Sequence, residues 1–543
     1  MKLRSTSIEE IDGGAFDALI VGGGINGAVA AAVLAGRGAT IALIDRGDFG
    51  GFTSQESSNL VWGGFKYLES YEFLLVRKLC VSRNRLIKAY PDNVKPIGFL
   101  ATLDRSSPFP PWLAALGSLA YWAIGSFKTH MPRMLSPRKI EKVEPVVDTT
   151  GARGGVEYYD AYLPDNDSRF VFSFVRSALD VGAAAANYVE LIDATRTGGV
   201  WEAELRDRET GRTLHCRARV IINAAGPFVD PLNRELGPQT DHRIVYSKGI
   251  HLVVPQITPS RRVLAFFDDT QRLFYVIPMG RRSVIGTTDT RVDTPYTEVT
   301  TADRTFLLEQ INKRLDLPSP LTEADVIAER SGVRPLVVDS DGSDQETVDW
   351  TKLSRKHEVE TDRERSVITI FGGKLTDCLN VGEEVADEVE RLGIPLEEDT
   401  GSWYGEPAAA TRAEFYRQAR LMRLDDLRSK PNVEPLSDRL WRRYGRRAFQ
   451  MLDAIRQDPS MGEDIMNRAD YLRVELHLAA RTEMVTRLED FLRRRSKITQ
   501  VIPEEDVKTS AGLREVAEIL FEDRADEKLI EYFGELPAAP EPV

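Results

Sequence analysis

The chain has 543 residues, 42% hydrophobic and 29% charged, which suits two or three globular domains with filled cores. Its net charge of −13 argues against a dedicated nucleic-acid binder and obliges an anionic substrate to find a local basic pocket. Cys80, Cys216 and Cys378 are the only cysteines and sit at no zinc-ligand or CxxC spacing, so no disulfide framework or metal site is indicated and a reducing compartment fits.

The N-terminus, MKLRSTSIEEIDGG, has no long apolar run and reads as no secretory signal. Next comes DALIVGGGINGAVAAAVLAGRGATIALIDRGD, an apolar strand, a glycine-rich loop, an Ala/Val/Leu helix and a second strand ending at Asp45. Gly22, Gly24 and Gly27 stand in GxGxxG spacing inside that context. Gly22 permits the tight turn, Gly24 lets backbone approach a pyrophosphate, and Gly27 lets helix and strand close up. The helix N-terminus offers free N–H groups and a partial positive charge to phosphate. Asp45, about 18 residues on, is placed to accept hydrogen bonds from ribose hydroxyls. The unit Phe16–Arg46 therefore predicts a dinucleotide.

Further along, Ser106 to Phe127 carries no charge, and Trp112–Phe127 (WLAALGSLAYWAIGSF) is strongly apolar. It is shorter than the roughly 18 residues of a spanning helix. Two readings stay open, a buried helix and a monotopic membrane-surface helix with Trp112, Tyr121 and Trp122 at the interface. Strands are predicted at Ala18–Val21, Thr40–Ile44, Arg219–Asn223, His251–Val254, Leu273–Pro278, Ser283–Thr287 and Ser366–Phe371. Two of them return towards the nucleotide loop. RVIINAAGPFVD ends in Ala224, Ala225 and Gly226, small enough for backbone to pass a cofactor. FGGKLTDCLN turns at Gly372 and Gly373 into a helix whose N-terminus faces a flavin pyrimidine in this reading. These separate approaches, with the loop at the extreme N-terminus, favour FAD over NAD. Beyond about Gly401 strand signals vanish and charged amphipathic segments such as Arg439–Arg456 and Tyr471–Arg495 predict a separate helical domain. The tail Glu535–Val543 is Pro-rich and predicted disordered.

Several ordered motifs resemble the FAD-dependent glycerol-3-phosphate dehydrogenase family over nearly the whole chain: RGDFGGFTSQESSNLVWGGFKYLE, YSKGIHLVVP, VIPMGRRSVIGTTDT, SGVRPL, FGGKLT, and the C-terminal RRYGRRA and VELHLAARTEMVTRLEDFLRRRSKI. The resemblance implies an α/β FAD-binding domain, Rossmann-like and of glutathione-reductase type, made of 1–75, 150–240 and 330–400. It implies an interleaved α+β substrate domain of 76–149 and 241–329, and an all-helical domain of 401–534. On FAD it places Gly22, Gly24, Asn26, Gly27, Asp45, Arg46, Thr53, Ser54, Ser58, Asn59, Gly63, Gly64, Ala225, Gly226, Gly373, Lys374 and Leu375. His251, in KGIH, is implied as the base, and Arg334 as a substrate-facing cation beside the flavin. Lys66, Arg355 and Lys374 are implied to bind the substrate's phosphate. GTTD (Gly286–Asp289) reads as a structural turn around the site.

Departures from the family pattern bear on the substrate. Trp62 replaces a histidine and Lys66 an arginine of HGGLRYL; Asp377, Cys378 and Leu379 replace Thr–Tyr–Arg; and LPDNDSRF (Leu163–Phe170) replaces a DDAR-like run. The implied reaction is oxidation of sn-glycerol 3-phosphate to dihydroxyacetone phosphate, with electrons passed to a quinone. The alternatives are an oxidase using oxygen and a flavin-binding protein without dehydrogenase activity; the helical domain and the Arg334, Arg355 and Lys374 set disfavour an amine oxidase. The expected location is cytoplasmic, with peripheral contact to the inner face of the plasma membrane through Trp112–Phe127, and a homodimer is compatible with the resemblance.

Overall fold

The computed structural model of the chain describes residues 2–105, 107–340, 356–428, 434–466 and 469–537. One sheet runs in the order His357–Asp362, Val367–Gly372, Thr213–Asn223, Ala15–Val21, Ile41–Asp45 and Ala184–Asn187. Its first junction is antiparallel and the other four are parallel. Parallel strands are covered on both faces, which is why ALIV, IALI and VIIN read as unbroken apolar runs rather than alternating ones. A hairpin, Val189–Thr197 with Val200–Asp207, adds antiparallel to Thr213–Asn223. Helix Ile25–Gly36 is buried from Asn26 to Ala35, its alanines leaving room for helices Asp167–Asp180 and Cys378–Arg391 in the same core.

The second sheet follows the order Thr290–Val292, His242–Pro255, Arg282–Gly286, Leu273–Met279, Val263–Phe267, Lys95–Leu103, Gly154–Tyr162 and Leu60–Val61. Strand Ala328–Asp339 pairs along His242–Pro255 from His242↔Asp339 to Val253↔Ala328. Strands Leu60–Val61, Gly154–Tyr162 and most of Ala328–Asp339 lie inside segments assigned above to the FAD-binding domain, yet they belong to this second sheet. The chain crosses between sheets at each of these places, a step that leaves no mark in local apolar periodicity.

Trp112–Phe127 does not form the buried helix. Helix Pro111–Ile124 buries only Ser118 and Tyr121, while Trp112 is 59%, Leu116 55% and Phe127 61% exposed. Leu74, at the start of the adjoining helix Phe73–Ala89, is 88% exposed. Among the described residues no helix is long and apolar enough to cross a membrane.

The C-terminal part is helical, but neither long amphipathic segment is continuous. Leu436–Tyr444 and Ala448–Gln457 are separated at Gly445, whose φ is +51°. Arg473–Thr482 stops before Glu483, which turns inward to Arg169 at 2.9 Å, and a π-helical turn, Asp490–Arg495, follows. That turn fastens the helices to the first sheet. Asp48, wholly buried, accepts from Arg494 Nε at 2.8 Å and from both Arg495 Nη atoms at 2.8 and 2.7 Å. Burial opposes its charge, but Arg495 and Arg494 hold its carboxyl below the usual range. Arg493 meets both Glu56 oxygens at 3.0 Å, and Asp165 receives Arg442 and Arg443. Removing one partner of a buried pair leaves an uncompensated charge, so Asp48→Ala is expected to destabilise the protein by about 3–5 kcal/mol in equilibrium denaturation. A change within about 0.5 kcal/mol, the usual range of a surface substitution, would mean that the two arginines find water or other acceptors.

Candidate functional site

The nucleotide cradle grows from close backbone approaches. A Cβ on Gly22 (φ +110°) would strike the Ala224 carbonyl, and one on Gly27 would strike the Gly22 carbonyl. Gly24 caps helix Ile25–Gly36, and the nearest neighbour of an added Cβ is Ser54 Oγ at 3.2 Å. Ser54 Oγ also accepts from Ile25 N at 3.1 Å. Asp45 accepts from Gly23 N at 2.6 Å and Gly47 N at 2.7 Å, and burial raises its carboxyl despite both bonds. Asn26 Nδ2 donates to the Gly372 carbonyl at 2.8 Å, while its buried Oδ1 has no partner among the described residues. A Cβ on Gly373 (φ +108°) would press on that amide. Around Gly226 (φ +57°) an added Cβ meets nothing within 4 Å, and Ala225 N donates to Asn223 Oδ1 at 3.1 Å. Backbone open at Gly226, a helix N-terminus at Gly24 and an unsatisfied amide oxygen between helix and turn fit a bound dinucleotide.

The other implied cofactor residues do varied work. Arg46 lies over the Phe228 ring at 3.8 Å and reaches the Tyr296 hydroxyl at 3.2 Å. Thr53 Oγ1 donates to the Val333 carbonyl at 2.7 Å, tying the loop to the second sheet. Ser58 is half-buried, and Asn59 (φ +58°) donates through Nδ2 to the Asp165 carbonyl at 2.7 Å. Gly63 N donates to Asp160 Oδ1 at 3.1 Å, an oxygen that also receives Arg83 Nη1 and Tyr121 OH. Gly64 (φ +84°) begins the turn Phe65–Leu68, which carries Lys66 and Tyr67. Lys374 Nζ donates to Tyr67 OH at 2.7 Å, one residue before Leu375 opens the short turn into helix Cys378–Arg391. Lys374 thus reaches the turn that carries Lys66. Arg355 lies outside the described residues, as do residues 538–543 of the tail.

His251 and Arg334 share one face of the ladder between His242–Pro255 and Ala328–Asp339. In register are Ser247↔Arg334, Gly249↔Gly332 and His251↔Arg330, and residues opposite each other in an antiparallel pair project from the same face. The two glycines leave a hollow. The Arg334 guanidinium lies over Gly249 and the Glu56 side chain over Gly332, each where a Cβ would stand. The GTTD turn holds Arg334, through Thr287 Oγ1, the Thr288 carbonyl at 3.1 Å and Asp289 Oδ1 at 3.3 Å. His251 is 3% exposed, and neither ring nitrogen has a partner among the described residues. Burial, then the charges of Arg330 and Arg334, hold its imidazole well below the ordinary histidine range. A neutral, unpartnered imidazole beside a fixed guanidinium can take a proton from a substrate that carries negative charge elsewhere.

Sequence reasoning missed Arg330, Gly249, Gly332, Glu56 and Tyr67. Period-two spacing carries a signal for the first three, because Arg330 and Gly332 fall on one strand face with Arg334, and Gly249 on one face with His251. The departures also find places. LPDNDSRF serves docking: Asp165 and Arg169 engage the helical domain, and Asn166 caps helix Asp167–Asp180. Trp62 N donates to Thr376 Oγ1 at 3.0 Å. Asp377 pairs with His357 Nδ1 at 2.9 Å, and Glu384 takes Nε2 at 2.8 Å. Because His357 stands opposite Gly372, this pair braces the turn bearing Lys374.

The comparisons with known proteins agree with this geometry. Residues 17–386 match the family model described as FAD dependent oxidoreductase, and residues 425–523 match the C-terminal domain of alpha-glycerophosphate oxidase. The fold and cradle therefore define a flavoprotein oxidoreductase. Glycerol-3-phosphate dehydrogenase 2 of Mycobacterium bovis is 30% identical over 93% of this chain and 84% of its own length. Glycerol-3-phosphate dehydrogenase of Pseudomonas aeruginosa is 30% identical over 89% of this chain and 92% of its own. The crystal structure of glycerol-3-phosphate dehydrogenase from Bacillus halodurans complexed with FAD has the same fold, with a TM-score of 0.73, 24% identity, and coverage of 98% of this chain and 97% of that one. The chain belongs to the FAD-dependent glycerol-3-phosphate dehydrogenase family, and its cofactor is FAD.

Burial opposes a proton on His357, but its bonds to Asp377 and Glu384 outweigh that and push it up to about 9. A folded value above the ordinary 6.5 gives stability that is fully present below the ordinary value and lost as pH rises through about 9. Denaturation midpoints are expected to fall from pH 7 to beyond pH 9, with His357→Gln flattening this slope; an equal slope in the variant would assign the decline to other groups.

Proposed function

We propose that the protein oxidises sn-glycerol 3-phosphate to dihydroxyacetone phosphate and passes the electrons to a quinone at a membrane surface. The observation that carries the reaction is His251, buried, without a partner among the described residues, and neutral on the same face of the ladder as Arg334. Bound FAD supplies the hydride acceptor. An imidazole nitrogen of His251 takes the hydroxyl proton as the substrate's carbon–hydrogen bond breaks. Arg334, fixed over Gly249, attracts the anionic substrate with a guanidinium that needs no reorganisation. Lys374 and Lys66, at the Tyr67 turn, hold the phosphate, with Arg355 assigned to the same task by the family resemblance. A lysine lacks the bidentate geometry of arginine, so Lys66 tolerates a wider range of anion positions.

His251→Ala is expected to slow anaerobic flavin reduction by sn-glycerol 3-phosphate by roughly 10²–10⁴-fold, with FAD still bound. Unchanged reduction would remove His251 from the reaction, and fast reduction by a different hydroxy acid alone would replace the substrate. Peroxide released in step with reoxidation, on admitting air, would make oxygen the acceptor.

The exposed apolar face supports the membrane part. Helix Phe73–Ala89 starts five residues after the turn Phe65–Leu68, whose Tyr67 meets Lys374. Phe73, Leu74, Ala123, Ile124 and Phe127 line an open groove there, beside Arg77. Aromatic and aliphatic side chains with an adjacent cation suit the headgroup boundary of an anionic bilayer. Wild-type protein is expected to sediment with anionic vesicles, and Trp112→Ser with Leu116→Ser to lose most of that binding. Equal sedimentation of both would free this helix of the role.

A further inference from the structure

Arg330 is a fully buried cation surrounded by neutral acceptors. It is 1% exposed, and among the described residues no carboxylate stands within ion-pair distance of it. Nη1 donates to the Ser57 carbonyl at 2.6 Å and to Asn59 Oδ1 at 2.7 Å. Nη2 donates to Gln500 Oε1, from the helical domain, and rests 3.6 Å from Met279 Sδ. Nε has no partner among the described residues. Burying a guanidinium this way is unfavourable, because neutral acceptors only partly replace water, and Asp167 and Glu56 act on it only from beyond ion-pair distance.

Its location supplies a reason. Arg330 stands directly opposite His251 in the ladder, so the two side chains leave the same face with Cβ atoms about 4.5–5.5 Å apart. The charged groups that face His251 are few. The partner strand brings Arg330 and Arg334, and the turn after Arg282–Gly286 brings Asp289, which Arg334 engages. The cofactor loop brings Glu56, which Arg493 engages, and behind it Asp167 accepts from Ser57 N. On the other side Gly286 brings no charge. His251 therefore faces two cations: Arg334, which is paired with Asp289, and Arg330, which has no carboxylate within ion-pair distance among the described residues.

We propose that Arg330 is a positioning residue for His251, anchored by Gln500 of the helical domain, and that its charge keeps the imidazole unprotonated and ready to accept the substrate's hydroxyl proton. The assignment rests on His251 being the base. It gives the C-terminal helices a part in the reaction: through Gln500 they fix a charge next to the proton acceptor.

The test is the pH dependence of anaerobic flavin reduction by sn-glycerol 3-phosphate in intact holoenzyme. In wild type the rate is expected to stay flat down to below pH 6.5, since His251 remains neutral there. Arg330→Met removes the charge at similar length, so the acid limb is expected to move to higher pH. Each unit of displacement reads as an about tenfold lower rate below the limb. Arg330→Lys is expected to restore the wild-type limb, and Gln500→Leu to move it in the same direction as Arg330→Met, by less. An acid limb that stays in place in Arg330→Met, while His251→Ala still loses fast reduction, overturns the role of Arg330 and leaves the base intact. Loss of nothing in His251→Ala overturns both. If Arg330→Met yields no folded holoenzyme, Gln500→Leu decides, and an unmoved limb in that variant overturns the proposal.

Discussion

The ladder between His242–Pro255 and Ala328–Asp339 is the constraint on which the site depends. It fixes His251 against Arg330 and Ser247 against Arg334 by backbone register, with two glycines between. The same strand meets the cofactor loop, where Val333 accepts from Thr53, and the returning turn, where a Cβ on Gly372 would touch Pro335 and Val337. One strand therefore aligns proton acceptor, substrate cation and cofactor cradle. A slip of one residue along it would send Arg330 and Arg334 to the face opposite His251.

Electrostatics at the site follows from how its charges are shared out. The chain is acidic overall, yet the charges that act on His251 are those of Arg330 and Arg334, and the carboxylates nearby are engaged in ion pairs. Asp289 belongs to Arg334 and Glu56 to Arg493. The arginines of the π-helical turn reinforce this arrangement from outside, each meeting a carboxylate on the loop Asp48–Glu56. An anionic substrate then finds an arginine already fixed in place, on a protein whose net charge otherwise repels it.

Much of this was legible in the sequence. The glycine spacing, the apolar strands on either side and the two returning segments locate the cradle, because parallel buried strands and close backbone approaches demand particular residue types. His251 and Arg334 were reached through motif resemblance, and alternation along SGVRPL places Arg334 with Gly332. What was not legible depends on distant pairing. Nothing near Arg330 says that it will face His251, and nothing in LPDNDSRF says that its charges will meet helices some three hundred residues away. The exchange of strands Gly154–Tyr162 and Ala328–Asp339 into the second sheet is equally non-local. The apolar stretch at Trp112 was ambiguous for a different reason: hydrophobicity fixes that a surface must be covered, not whether protein or lipid covers it.

The paired glycines in the ladder have a consequence for how precisely the charges are held. Long side chains on an open surface wander through several rotamers. Here the missing side chains make two notches in the sheet, and Arg334 and Glu56 lie in them like pins in a lock. Their charged ends are then held by the GTTD turn on one side and by Arg493 on the other. The stem of Glu56 and the guanidinium of Arg334 are thus seated against the sheet backbone itself.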